Sequence, residues 1–373
     1  MKNKKKLIAN LILLLSLLIF VIIMVCSLGD IKDIYQNIKE ANYTYILIIL
    51  GLLILYLILW PFSLAIIIRS EEPKVKFRRD YEISATEFFF NGITPFSSGG
   101  QPFQVYSMNK VGISVAKSTS IIMINFIIYQ VVINIFSVLS IALYFKQIEE
   151  TISNFIWFAV LGFSINFIIL IFLLLIAISK KTGVILHKFL VWLAHFKLFN
   201  KLNNKIPAFD QYVIDTQDAF KQIAKKWRLV LLSVILKIVA LAIFYAIPFF
   251  GIKALNIAIS YDQIFYVIAM TCFALTMVVW LPTPGSSGGA EFAFSAIFEA
   301  LAVDTSNSLS LMLIWRFATY YLVMLFGLVV YLILERGIKK DANRNLHGCV
   351  LSEHQRSDNL SDDLREEVKG EGA

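Results

Sequence analysis

Thr94-Pro95-Phe96-Ser97-Ser98-Gly99-Gly100 returns 189 residues later as Thr283-Pro284-Gly285-Ser286-Ser287-Gly288-Gly289, with Phe103 and Phe292 at matching offsets. Both copies interrupt long apolar segments. A soluble loop can be rich in Gly, Ser and Pro without consequence. Inside a bilayer an unpaired backbone group costs several kcal/mol, so the same breaker placed twice at membrane depth needs a reason. Matching breaks in the two halves of a membrane chain point to a binding site near the midplane.

The composition agrees with a membrane location. The 373 residues are 58% hydrophobic and include 31 Phe, and the mean hydropathy is +0.73. No soluble domain of this size needs so much apolar content. The formal net charge of +8 then records orientation and anionic lipid, not nucleic acid. Cys26, Cys272 and Cys349 form no motif. No metal cluster, cofactor fingerprint or catalytic triad signature is present.

Full spans need roughly 20 apolar residues. Such runs occupy about 7–28, 44–68, 118–145, 152–178, 228–251 and 309–334. The basic N-terminus resembles a signal sequence, but its apolar run is too long for a cleaved one. Two further regions, 81–113 and 261–303, each contain one break. Loops 1–6, 69–80, 110–117, 180–228 and 335–344 carry 25 Lys and Arg, against four in loops 29–43, 146–151 and 252–260. The bias puts both termini in the cytoplasm. By parity, 81–113 enters and leaves by the cytoplasmic face, and 261–303 by the external face. The stretch 261–281 is nevertheless long enough to span alone.

The expected architecture is an all-α polytopic membrane protein. It has about six full spans plus two oppositely oriented re-entrant helical hairpins, related as an inverted repeat. A membrane domain, 1–344, holds halves at 44–178 and 228–334. They are joined by an interfacial linker, 184–228, and followed by a disordered cytoplasmic tail, 345–373. In the linker, Ile185, Phe189, Trp192, Phe196 and Phe199 share one helical face, and Phe209, Val213, Phe220, Ile223 and Trp227 share another.

Each repeat has parts that suit an anion. Pro95 and Pro284 stop the incoming half-helix. Gly99, Gly100, Gly288 and Gly289 allow positive φ and close approach. The hydroxyls of Thr94, Ser97, Ser98, Thr283, Ser286 and Ser287, with free amides, can hold a phosphate where the next half-helix starts near Gln101 or Ala290. The alternative is a pair of tight turns packed in the bundle. Glu291 either complements the helix dipole or meets a cationic headgroup or Arg316. Arg316, about 10 Å inside the last span, either snorkels or pairs with Glu291. Lys237, deep in the fifth span, has Glu87 as its natural partner. Asn125, Gln130, Asn134 and Asn166 suit interhelical hydrogen bonds.

Asn91-Gly92-Ile93-Thr94-Pro95-Phe96-Ser97-Ser98-Gly99-Gly100-Gln101-Pro102-Phe103-Gln104-Val105-Tyr106, Leu281-Pro282 through Glu291, and Trp315-Arg316 with Tyr320 resemble signatures of the lysylphosphatidylglycerol synthase transmembrane (flippase-like) family. The likeness spans about residues 5–340. It implies a membrane domain that moves phospholipid, anionic or aminoacylated, to the outer leaflet of a bacterial plasma membrane. In the multiple peptide resistance factor that domain precedes a cytosolic aminoacyl-tRNA-dependent transferase. The thirty or so residues after 344 are expected not to form one, so partnership with a separate lipid-modifying synthase, or the lysyltransferase activity in the family name, stand as alternatives.

Overall fold

The computed structural model describes residues 31–73, 75–152, 156–195, 206–278, 283–300 and 303–341. The protein is an all-α polytopic membrane protein, with no β-strand among the described residues. Five helices are long and apolar enough to span: Tyr43–Glu71, Val115–Gln147, Val160–Ile178, Trp227–Ala254 and Thr305–Asp341. They coincide with five of the six expected runs. The sixth, 7–28, and the tail, 345–373, lie outside the described residues.

In chain order, α1 is Ile31–Lys39, α2 Tyr43–Glu71, α3 Phe77–Ala85, α4 Glu87–Ile93, α5 Gly100–Lys110, α6 Val115–Ile152 and α7 Ile156–Ile178. After these come α8 Lys180–Ala194, α9 Ile206–Ala224, α10 Trp227–Ala254, α11 Ile264–Val278 and α12 Gly289–Ala300. The last span, α13, is α-helical over Thr305–Arg316, π-helical over Phe317–Leu322 and continues to Asp341. The fifteen described residues of α11 account for about 22 Å of helix. Residues 279–282, which would complete the expected 261–281 stretch, lie outside the described residues.

Helices α2 and α10 pack antiparallel along their length. At one end the Lys226 ammonium donates to the Ser70 carbonyl at 2.7 Å and pairs with Glu71 at 2.7 Å. Midway, the Ser233 hydroxyl donates to the Ser63 carbonyl at 2.7 Å. At the other end the Asn42 amide donates to the Ala254 carbonyl at 2.7 Å. Lipid supplies no hydrophobic drive between helices, so small residues and such bonds carry the packing.

Contacts fix the level of each broken segment. Arg79 pairs with Asp341 at 3.1 Å and Lys117 with Glu71 at 3.4 Å, so both feet of the first lie at the Glu71 end of α2. Its inner end meets the middle of α13, where the Tyr320 hydroxyl donates to the Gly92 carbonyl at 2.8 Å. A Cβ on Gly327 would lie 2.5 Å from the Phe89 nitrogen, which shows how closely α4 approaches α13. The feet of the second lie at the Tyr43 end. There the Tyr45 and Tyr261 hydroxyls meet at 3.1 Å and Asn37 donates to Ser310 at 3.3 Å.

The linker folds as α8 and α9. Phe220 and Ile223 of α9 are buried as their periodicity required. Trp227 instead starts α10 and is 61% exposed, because the helix breaks at Lys225 and Lys226. Phe196 and Phe199 lie outside the described residues.

Asp80 on α3 is fully buried, and neither carboxylate oxygen has a hydrogen-bond partner among the described residues. Burial pushes its carboxyl from 3.8 to about 7, against the pull of the Arg69 guanidinium 3.7 Å away. Between these values the folded chain holds a proton that the unfolded chain has lost. Stability therefore falls as pH rises through that window, and the whole cost is present above it. Asp80→Asn should raise the melting temperature in detergent at pH 8 and leave it nearly unchanged at pH 4. Equal shifts at both would mean that ionisation of Asp80 is not the cause.

Candidate functional site

The two breaks touch: Pro95 and Pro284 form an antiparallel β-bridge. Each proline opens the same turn. Phe96 and Ser97 have φ of 55° and 49°, and Gly285 and Ser286 have 57° and 55°. Turn closure runs from the Ser98 amide to the Pro95 carbonyl at 3.3 Å and from the Ser287 amide to the Pro284 carbonyl at 3.1 Å. Two successive positive φ values define a type I′ turn. The left-handed residues therefore follow the prolines directly. Of the double glycines, Gly288 (φ 89°) has positive φ, whereas Gly99 sits at −76°.

Gly99 and Gly100 are needed for close approach. A Cβ on Gly99 would lie 2.8 Å from the Thr94 hydroxyl, and one on Gly100 2.6 Å from Asn91 Oδ1. Those two side-chain oxygens accept the Gly99 amide at 2.8 Å and the Gly100 amide at 2.9 Å. In the second break, Glu291 Oε2 accepts the Gly288 amide at 2.7 Å. Three amides expected to face an anion are thus engaged within the chain, as the orphan donors of a helix start require. The hydroxyls differ between copies. Ser98 is exposed and donates to the Pro95 carbonyl at 2.9 Å, while Ser286 and Ser287 are buried. Thr283 Oγ1 has no hydrogen-bond partner among the described residues. Gln101 and Ser97 are half-buried near the first break.

Glu291 and Arg316 form a buried ion pair at 2.6 Å, with side chains 0% and 6% exposed. Arg316 Nη2 also donates to the Gly285 carbonyl at 3.0 Å. The guanidinium lies 4.5 Å from the Tyr320 ring centre. A Cβ on Gly285 would lie 2.1 Å from that ring, so no other residue fits there without displacing it. One carboxylate and one guanidinium therefore hold the second turn at Gly288 and Gly285.

Glu87 and Lys237 come together less directly than depth matching implied. No carboxylate lies within 4.0 Å of Lys237 among the described residues. Instead Trp60 stands between them. Its indole N–H donates to Glu87 Oε1, and its ring face carries the Lys237 ammonium 3.8 Å from the centroid. A desolvated cation–π contact contributes about 2 kcal/mol. Gln104 Nε2 bonds the Ser84 carbonyl at 2.8 Å and approaches Glu87 at 3.4 Å. Trp60, Asn91 and Gln104 were missed as site residues. Tyr56 and Trp60, spaced by one turn at mid-span, were the available signal.

A cavity of about 200 Å³ lies between the two charged centres, bounded by Trp60, Tyr129, Tyr245, Asn166, Ser286 and Arg316 among others. Asn134 and Asn166 donate to their own helices at 2.8 and 2.9 Å, not across to neighbours as expected.

Removing one member of a buried ion pair costs roughly 3–5 kcal/mol. Glu291→Gln and Arg316→Met should each lower thermal stability on that scale. The double variant should lose much less than the sum, as a double-mutant cycle in detergent would read. Strict additivity would rule out the coupling. Similarly, Glu87→Gln combined with Lys237→Met should be more stable than Lys237→Met alone.

The chain matches the family described as lysylphosphatidylglycerol synthase TM region over residues 8–327. It is 23% identical over 312 residues to a UPF0104 membrane protein of Archaeoglobus fulgidus, covering 79% of this chain and 88% of that one. It is 22% identical over 354 residues to the uncharacterized protein MG306 homolog of Mycoplasma pneumoniae, covering 87% of each. With most of its length accounted for, the protein belongs to the lysylphosphatidylglycerol synthase TM region family.

Proposed function

We propose that this protein moves phospholipid headgroups between bilayer leaflets. The Pro95–Pro284 bridge carries the proposal. Two interrupted helices whose feet lie at opposite ends of α2, and whose tips meet beside a polar cavity, have the arrangement expected of oppositely oriented re-entrant hairpins. The Lys and Arg bias supports a bacterial plasma membrane with the Glu71 end of α2 facing the cytoplasm.

Arg316 and the serines of the second break would receive the headgroup phosphate. Arg316 Nη1 has no hydrogen bond to a described residue, although Nε and Nη2 are engaged. The aromatic rings of Tyr129 and Tyr245 line the cavity where an amine-bearing headgroup would lie. The acyl chains would remain in lipid. In the bridged state the cavity is smaller than the 300–1,000 Å³ usual for ligand sites. Rocking of one half against the other would part the bridge and open the cavity to each side in turn.

Cross-linking tests this directly. Residues paired across an antiparallel bridge have Cα atoms about 4.5–5.5 Å apart, within disulfide range. In a background with Cys26, Cys272 and Cys349 replaced, Pro95→Cys/Pro284→Cys protein in vesicles should stop moving labelled anionic and aminoacylated lipid when oxidised. Reduction should restore it. Movement unaffected by a quantitatively formed disulfide, or no movement above empty vesicles for any lipid in the unlinked protein, would defeat the proposal.

A further inference from the structure

Away from the breaks, a groove of about 270 Å³ opens between α6, α9 and α10. Every side chain bounding it is apolar, including Ile124, Ile127, Phe220, Trp227, Leu231 and Val234. Trp227 is 61% exposed and Leu231 49%. The groove thus faces outward, and no described residue fills it.

Its position in the membrane sets its length. Trp227 is the first residue of α10 and Val234 lies seven positions further on. At 1.5 Å per residue the groove runs about 10 Å inward from the interface, most of the depth of one leaflet. That length suits the upper methylenes of an acyl chain. The rim supplies the complement to a headgroup. Lys225 and Arg228 flank Trp227 and are exposed, and the Arg228 guanidinium lies 5.5 Å from the Trp227 ring centre. Lys226 is not available, since Glu71 and the Ser70 carbonyl hold it. A tryptophan at the interface between an apolar slot and two exposed cations matches a phospholipid at the level of its glycerol.

We propose that this groove holds one glycerophospholipid with an anionic headgroup, its chain against Ile127 and Leu231 and its phosphate between Lys225 and Arg228. The bound lipid completes the packing of the interfacial helix α9 on α6 and α10. The site does not depend on headgroup movement through the central cavity.

Trp227 is a built-in reporter. Full-length protein is reconstituted in vesicles containing either chain-brominated phosphatidylglycerol or chain-brominated phosphatidylcholine at equal mole fraction. The Trp227 emission is taken as the difference between the parent and Trp227→Phe. Brominated phosphatidylglycerol should reach half-maximal quenching at about fivefold lower mole fraction, as expected when surface cations attract an anionic lipid. In Lys225→Gln/Arg228→Gln the two lipids should quench alike, and soluble glycerophosphate should not compete. Equal quenching in the parent, or a preference that survives in the double variant, would overturn the site. Because the readout is occupancy in one leaflet, it stands or falls separately from transport.

Discussion

An interrupted helix in hydrocarbon frees backbone groups that lipid cannot satisfy. Between them, the two breaks of this protein hold three of the amides so freed on side chains of the chain itself. Thr94 and Asn91 take the amides at the start of α5, and Glu291 takes the Gly288 amide ahead of α12. The prolines then meet in a bridge. The rest follows from that constraint: close approach at Gly99 and Gly100, a guanidinium beside the Gly285 carbonyl, and an antiparallel α2–α10 pair that brings the breaks to one level.

The two breaks solve the problem with different chemistry. The first break uses neutral side chains, a hydroxyl and an amide, and its tip is exposed at Pro95, Phe96 and Ser98. The second uses an ion pair and is buried at Ser286 and Ser287. The other charged centre, Glu87 with Lys237, belongs to α4 and α10, joined through Trp60. A headgroup between them would meet a carboxylate screened by an indole on one side and a guanidinium on the other. Such asymmetry suits a ligand with two unlike ends.

Much of this was legible in the residues. Apolar run length located five spans, and the repeated breaker located both turns, because membrane depth penalises polar backbone so heavily. Depth alone also matched Glu291 to Arg316, since both fall near the second break. It matched Glu87 to Lys237 only in neighbourhood, because a one-dimensional depth carries no azimuth and could not see Trp60 on α2. The turn chemistry was read in part: Gly288 takes positive φ and Gly99 and Gly100 make the close approach, but the left-handed residues after the prolines went unseen. Glycine is the usual left-handed residue, yet Phe96 and Ser97 take that role while Gly99 and Gly100 make room for side-chain caps.

The π-helical stretch Phe317–Leu322 follows Arg316 immediately. Arg316 and Gly327 are eleven residues apart, about three α-helical turns, and in an unbroken helix they would look the same way. A π-turn carries one surplus residue, which offsets the two by roughly a quarter turn. A single closing helix can thereby present its cation to one interrupted partner and its bare backbone to the other, serving as a shared axle for both.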